Sequence, residues 1–282
     1  SIENGRHIGG IFGQYQYQWT TDTSVIAGLR NDNYSDGSEH ASPRLGIVHN
    51  LDGSNVVKLL YSNAFRAPNR IETSVISPEY QSNPDLKPET AHTLELVWVR
   101  LFEEGYWSST LFSTSINDAI AEAITPQLKR TWINREERVG GFESEWNYHW
   151  NAMWQSRFAF TRLFDRMGGP GTEANTLLGG SVSYTLPNWT FSLLADFQGP
   201  KQDNNEQDFP AHITTTEYTR YGARTVLGAH LLHQLGRGAE IFLHGDNLAD
   251  KQYLSPANRA PNYVGVPGTG RLVTVGVRWL LD

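Results

Sequence analysis

The chain has 282 residues, 39% hydrophobic and 19% charged, which is too apolar for a disordered tail and too polar for a bundle of membrane helices. No stretch approaches the roughly 18 uncharged apolar residues of a spanning helix. The absence of cysteine excludes disulfides, thiolate metal sites and a cysteine nucleophile, and a net charge of -7 leaves no basic stripe to neutralise phosphates, so nucleic acid is not a partner. A cysteine-free chain with 9 Trp and 12 Tyr fits the bacterial envelope. It opens Ser1-Ile-Glu-Asn-Gly without an initiator Met or a signal-peptide core, so either a leader has been removed or the sequence begins mid-protein.

Helical periodicity is hard to find, whereas period-two alternation recurs throughout. In the first segment Ile11, Gly13, Tyr15, Tyr17 and Trp19 alternate with Phe12, Gln14, Gln16 and Gln18. Midway, Phe142, Trp146, Tyr148 and Trp150 are set against Glu143, Glu145, Asn147 and His149, and in the last segment Val273, Val275, Val277 and Trp279 against Thr274, Gly276 and Arg278. The pattern predicts thirteen strands, near 8–19, 22–31, 42–50, 54–65, 90–102, 106–118, 138–150, 153–164, 176–186, 189–199, 222–235, 239–249 and 270–281.

Their connections alternate strictly. Tight turns fall near Thr20-Thr21, Asp52-Gly53, Glu103-Glu104-Gly105, Asn151, Pro187-Asn188 and Gly236-Arg237-Gly238, and long polar segments near 32–41, 66–89, 119–137, 165–175, 200–221 and 250–269. A soluble sandwich has no reason to sort its loops this way, but an outer-membrane barrel has short periplasmic turns, long extracellular loops and aromatic girdles. Trp19, Trp107, Trp150, Trp154, Trp189 and Trp279 all lie close to a short turn, where amphipathic rings mark the periplasmic interface. The expectation is an all-β transmembrane antiparallel β-barrel. An odd strand count puts the chain ends on opposite sides of the membrane, so at least one further strand is expected before Ser1; a count off by one would allow a complete smaller barrel.

Two ordered sets of residues carry a family likeness. Tyr61-Ser-Asn-Ala-Phe65-Arg66-Ala67-Pro68-Asn69 is followed by Asn83-Pro84-Asp85-Leu86-Lys87-Pro88-Glu89, and near the end Asp246-Asn247-Leu248-Ala249-Asp250-Lys251-Gln252-Tyr253 precedes Pro267-Gly268 and a closing strand from Arg271. In this the chain resembles TonB-dependent outer-membrane receptors. The resemblance implies a barrel of about 22 strands, of which residues 1–282 are a single region holding roughly the last thirteen, with the plug domain and first strands absent. It further implies uptake of a ferric siderophore, cobalamin or similar nutrient, driven by TonB, ExbB and ExbD through that plug, and assembly by the barrel-assembly machinery among outer-membrane lipid and lipopolysaccharide. Family members usually end on an aromatic residue, whereas this chain ends Trp279-Leu-Leu-Asp282. Transport is non-covalent, so no catalytic residue, metal or cofactor is assigned.

Read physically, Pro68 ends a strand by removing a ladder donor, and Arg66, in phase with Lys58 and Ser62, points into the lumen. Asn83-Pro84, Lys87-Pro88 and Pro267-Gly268 punctuate the long connections. Recognition belongs on loops and upper walls, where Tyr80, Arg130, Trp132, Arg135, His212, Tyr218, Tyr221, Tyr253, Arg259 and Tyr263, with Arg66, are the aromatic or cationic candidates for a large anionic chelate. The run 265–272 has the glycine spacing of a phosphate loop but Arg271 and Leu272 in place of Lys and Ser/Thr, and a strand follows it. Residues 32–40 read as a solvated surface loop and not a calcium loop, because Tyr34 stands where a ligand is needed. His244 and Asp246 share a face as an orienting pair without a nucleophile motif nearby. The alternatives are a complete passive porin of about 12 or 14 strands, an outer-membrane hydrolase and a soluble carbohydrate-binding β-domain.

Overall fold

The computed structural model describes residues 7–35, 39–75, 77–127, 129–167, 173–203, 219–236, 238–255 and 265–279. In chain order the elements are β1 (Ile8–Gln18), β2 (Thr23–Tyr34), β3 (Glu39–Asn50), β4 (Asn55–Arg66), α1 (Arg70–Ser74), β5 (Glu89–Phe102), β6 (Gly105–Ile124), β7 (Arg130–His149), β8 (Trp154–Met167), β9 (Thr176–Leu186), β10 (Trp189–Gln198), β11 (Lys201–Asp203), β12 (Thr219–Tyr221), β13 (Arg224–Gly236), β14 (Ala239–Asp246), β15 (Leu254–Ser255), β16 (Val266–Pro267) and β17 (Leu272–Trp279). Thirteen of them form one antiparallel sheet in the order β1 to β10, β13, β14, β17. All thirteen predicted strands are therefore present, each beside its sequence neighbour. Among the described residues the sheet is open, since β1 and β17 each pair on one side only. The predicted continuation of the last strand to 281 lies outside the described residues.

The register sorts the side chains onto two faces. One runs from Tyr17 through Val25, Ile47, Leu59, Leu96 and Leu111 to Phe142, and farther on through Tyr184, Phe191, Leu231 and Leu243 to Val275. No large side chain among the described residues is fully buried, and Leu193 is 68% and Val275 71% exposed. A continuous apolar sheet face of this extent is untenable in water but is the surface a barrel presents to hydrocarbon. The opposite face carries rows such as Gln155, Ser183, Ser192, His230, His244 and Thr274, which suits an aqueous lumen. A soluble β-domain would need its Trp and Val in a shared core, and no such core exists among the described residues.

Aromatic rings gather at the short-turn end. Trp98 meets Trp107 edge-on at 5.1 Å, Trp154 lies 4.6 Å from Tyr184, and Trp189 stacks on His233 at 3.9 Å. Indole N–H groups here find partners at strand ends, Trp98 donating to Asn55 Oδ1 at 3.1 Å, Trp107 to Ser144 Oγ at 2.8 Å and Trp150 to Ser156 Oγ at 2.9 Å, as suits interfacial tryptophans. At one tight turn Asp52 Oδ1 accepts from the backbone N–H of Ser54 (3.0 Å) and Asn55 (2.8 Å), while Gly53 takes φ 76°.

Every predicted long connection carries some regular structure: β8 runs on to Met167, β11 pairs with β12 within 200–221 and β15 pairs with β16 within 250–269. Residues 119–137, read as a long connection, are mostly strand, because β6 and β7 run on as a two-stranded ribbon beyond the other strands. A β-bulge between Ile116 and Ala119, with Asp118 at φ 54°, marks where this ribbon begins. Residues 32–40 are likewise partly strand, with Arg30 bound to Asp32 and the His40 ring stacked on Phe65 at 4.3 Å. The connection after β4 contains the short helix α1, which the alternation test did not find.

Candidate functional site

The long connections lie at one end of the sheet, and local chemistry builds that end. After β4 the chain buries Ala67 and turns into α1 through a capping box: Asn69 Oδ1 accepts from Ile71 N at 2.9 Å and Glu72 N at 3.0 Å, and Glu72 Oε2 accepts from Asn69 N at 2.7 Å. Glu72 is only 7% exposed, and a buried carboxylate needs a charged partner. Arg66 supplies it, its Nη1 donating to Glu72 Oε1 at 3.0 Å while its Nε donates to Glu89. Glu89 Oε1 also accepts from Ile120 N at 2.6 Å. Arg66 thus ties β4, α1, β5 and β6 together, with its guanidinium shared between two carboxylates.

The rest of the connection folds across the β6–β7 ribbon. Asn83 Nδ2 donates to Trp132 O (2.9 Å), Lys87 N donates to Asn134 Oδ1 (2.8 Å), and Asn134 Nδ2 donates to Lys87 O (2.9 Å) and Asp118 O (2.7 Å). Leu86 is buried at 8% exposure. Tyr80 forms an isolated parallel bridge with Arg130, closed by Arg130 N to Glu79 O at 2.9 Å and Gln81 N to Arg130 O at 2.8 Å.

These bonds assemble a platform. The Tyr80 and Trp132 rings stack with centroids 5.9 Å apart and planes 14° apart, and the Arg130 guanidinium sits 6.0 Å from the Tyr80 centroid. Glu122 lies 3.4 Å from Arg130. Three of the residues singled out from sequence are thereby brought together, Tyr80 from the connection after β4 and Arg130 and Trp132 from strand β7 and not from the loop expected for them. Arg135 is not part of the group, since it turns to Glu137 at 2.6 Å. Two stacked rings offer stacking surface, and the Arg130 charge at their edge is shared with Glu122.

A second cluster closes the end of the sheet. Asn247 is 2% exposed, its Nδ2 donating to Lys251 O (3.0 Å) and Thr269 O (2.9 Å) while its Oδ1 accepts from Lys251 N (2.8 Å). Asp250 Oδ1 accepts from Arg271 N at 2.9 Å. The Tyr253 ring covers Gly268, where a Cβ would lie 2.0 Å from its Cε2, and its other neighbour is the Arg224 guanidinium at 3.9 Å. Tyr221, on β12, is 6% exposed, with its Cε1 2.9 Å from where a Gly265 Cβ would stand. Asn247, Asp250, Tyr253, Pro267 and Gly268 therefore hold the last connection to β17. Sequence reasoning missed Arg224 and Asn134; for Arg224 the available signal was its lumen phase with Val226 and His230 at a loop-end position. His212, Tyr218, Arg259 and Tyr263 lie outside the described residues. Lower on the lumen face His244 Nε2 meets Asp246 Oδ2 at 3.0 Å, the pair expected from sequence.

The comparisons with known proteins agree with this geometry. The model of the family described as TonB dependent receptor-like, beta-barrel matches residues 2–248, and the chain belongs to that family. No curated protein matches the sequence. Among solved structures, a variant of the ferric enterobactin receptor PfeA from Pseudomonas aeruginosa superposes with TM-score 0.81 at 16% identity, covering 96% of this chain and 44% of that one. The siderophore receptor PirA from Acinetobacter baumannii gives 0.81 at 17% identity, covering 97% and 46%. The ferric-catecholate import receptor Fiu from E. coli K12 gives 0.77 at 17% identity, covering 96% and 44%. At these identities the likeness is one of fold, and the chain spans less than half the length of each. Family membership replaces the passive-porin alternative.

Proposed function

We propose that this chain is the C-terminal wall of an outer-membrane receptor that admits a ferric siderophore, cobalamin or comparable metal chelate, driven by TonB, ExbB and ExbD through a plug carried outside these residues. Family membership and the two-faced sheet support the location and the receptor role over hydrolysis. The observation that carries the reading of the ligand is the Tyr80–Trp132 stack with Arg130 at its edge, held at the loop end by the Asn83 and Asn134 bonds. Aromatic chelates match such a plate through ring stacking. Tyr253, Tyr221 and Arg66 are then supports of the mouth and do not meet ligand. In the intact protein that carries this chain, the double variant Tyr80→Ala, Trp132→Ala is expected to weaken binding of a ferric catecholate about tenfold or more, from loss of stacking on both rings. Titration of the detergent-solubilised protein by tryptophan fluorescence measures it, and wild-type affinity in the variant would remove the platform from the mechanism.

A further inference from the structure

On the lumen face of β1 to β4 one row holds Gln14, Gly28, Arg44 and Ser62. A Cβ on Gly28 would lie 2.8 Å from Arg44 Cγ and 3.1 Å from its Cδ. The aliphatic stem of Arg44 is thus laid across the neighbouring strand in space that glycine alone leaves open, and part of the entropy of ordering it has already been lost in the fold. Among the described residues the Arg44 guanidinium makes no hydrogen bond, ion pair or ring contact. The nearby carboxylate is committed elsewhere: Asp32 accepts from Arg30 Nε and Nη2, both at 2.6 Å. Arg30 and Asp32 therefore cancel, and Arg44 is left as the surplus charge. Together with Gln14 and Ser42 they line a cavity of about 460 Å³ with Phe65 at its margin.

A guanidinium fork with free donors, on a stem seated over Gly28 and sharing a cavity with an amide and a hydroxyl, matches a carboxylate in charge and in bidentate geometry. We propose that Arg44, with Gln14 and Ser42, is a carboxylate-binding site in the lumen wall. It rests on the receptor reading only in taking this face as the aqueous one. The carboxylate is supplied by a solute crossing the lumen or by a protein segment that fills it, two sources of one chemistry.

The test uses the intact protein in detergent, with Lys58→Gln as the control, because Lys58 is another lumen cation without a carboxylate partner among the described residues. Citrate is titrated as the carboxylate probe into wild type, Arg44→Gln, Arg44→Lys and Lys58→Gln, and limited proteolysis is run on each. A loss of citrate affinity of about tenfold or more in Arg44→Gln, partly restored in Arg44→Lys and absent in Lys58→Gln, establishes a solute site. No citrate binding, but cleavage of a lumen-filling segment accelerated in Arg44→Gln and not in Lys58→Gln, establishes an internal carboxylate. Identical behaviour of Arg44→Gln and Lys58→Gln in both assays overturns the proposal. Ferric siderophore uptake by the wild type is measured alongside, and its absence with an intact Arg44 effect sinks the receptor reading alone.

Discussion

Asn247 shows how a single side chain carries a connection. Its φ of 47° lies in the left-handed region where asparagine is favoured among residues with a side chain, and its amide satisfies two carbonyls and one N–H that would otherwise be buried unpaired. Asn247→Ala is expected to destabilise the last connection by about 3 kcal/mol, since three bonds are lost and their partners remain. Asn247→Asp can accept but cannot donate to the two carbonyls, and is expected to be as damaging. The midpoint of thermal unfolding of the intact protein in detergent measures both. At the tight turn between β3 and β4, Asp52 is held below the usual carboxylate range by the Asn55 side chain, then by the N–H groups of Ser54 and Asn55. A depressed carboxyl contributes stability above its unfolded pKa and loses it as pH falls through the folded one. Amide exchange at Ser54 and Asn55 is therefore expected to speed up only below the ordinary aspartate range, and Asp52→Asn should remove that pH dependence. At this scale the sequence showed which residues matter at Asn247, Asp250 and Tyr253, through a family likeness, but not what they touch. Asn134 was invisible for a physical reason: its partner Lys87 is 47 residues away, and no local pattern encodes that distance.

Among the elements, strands wetted by lipid on one face were legible from end to end, because the two solvents force period-two alternation. The β6–β7 ribbon was not. Its bulge inserts an extra residue between Ile116 and Ala119, which shifts the phase and reads as a strand end, and beyond it both faces meet polar surroundings, so Arg130-Thr-Trp-Ile-Asn-Arg-Glu-Glu137 has no reason to alternate. Helix α1 escaped because its five residues are too few for a helical period, although Asn69 followed by Glu72 is a capping signal when looked for. The ribbon and the connection over it depend on each other. Asn134→Ala unpairs Lys87 and Asp118 at once, and is expected to open residues 77–88 to protease while β1 to β5 stay protected. Mass spectrometry of the first cleavage products checks the order; simultaneous cleavage everywhere would show that Asn134 supports the whole sheet.

For the whole molecule, strand number and order followed from the sequence, while the fate of the edges follows from chemistry. Among the described residues the edges of β1 and β17 present unpaired N–H and C=O groups at hydrocarbon depth, where each costs several kcal/mol. Reconstituted alone into planar bilayers, this chain is expected to give no stable open conductance, and steady single-channel currents from it would show that the two edges can join.

The proposed recognition platform is divided, with Tyr80 contributed by the connection after β4 and Arg130 and Trp132 by the ribbon two strands on. If the platform reads the ligand, as proposed, exchanging one loop is expected not to transplant specificity. A chimera that takes either piece alone receives half a binding surface and a set of orphaned backbone groups, so these two segments have to be inherited, or engineered, as a unit.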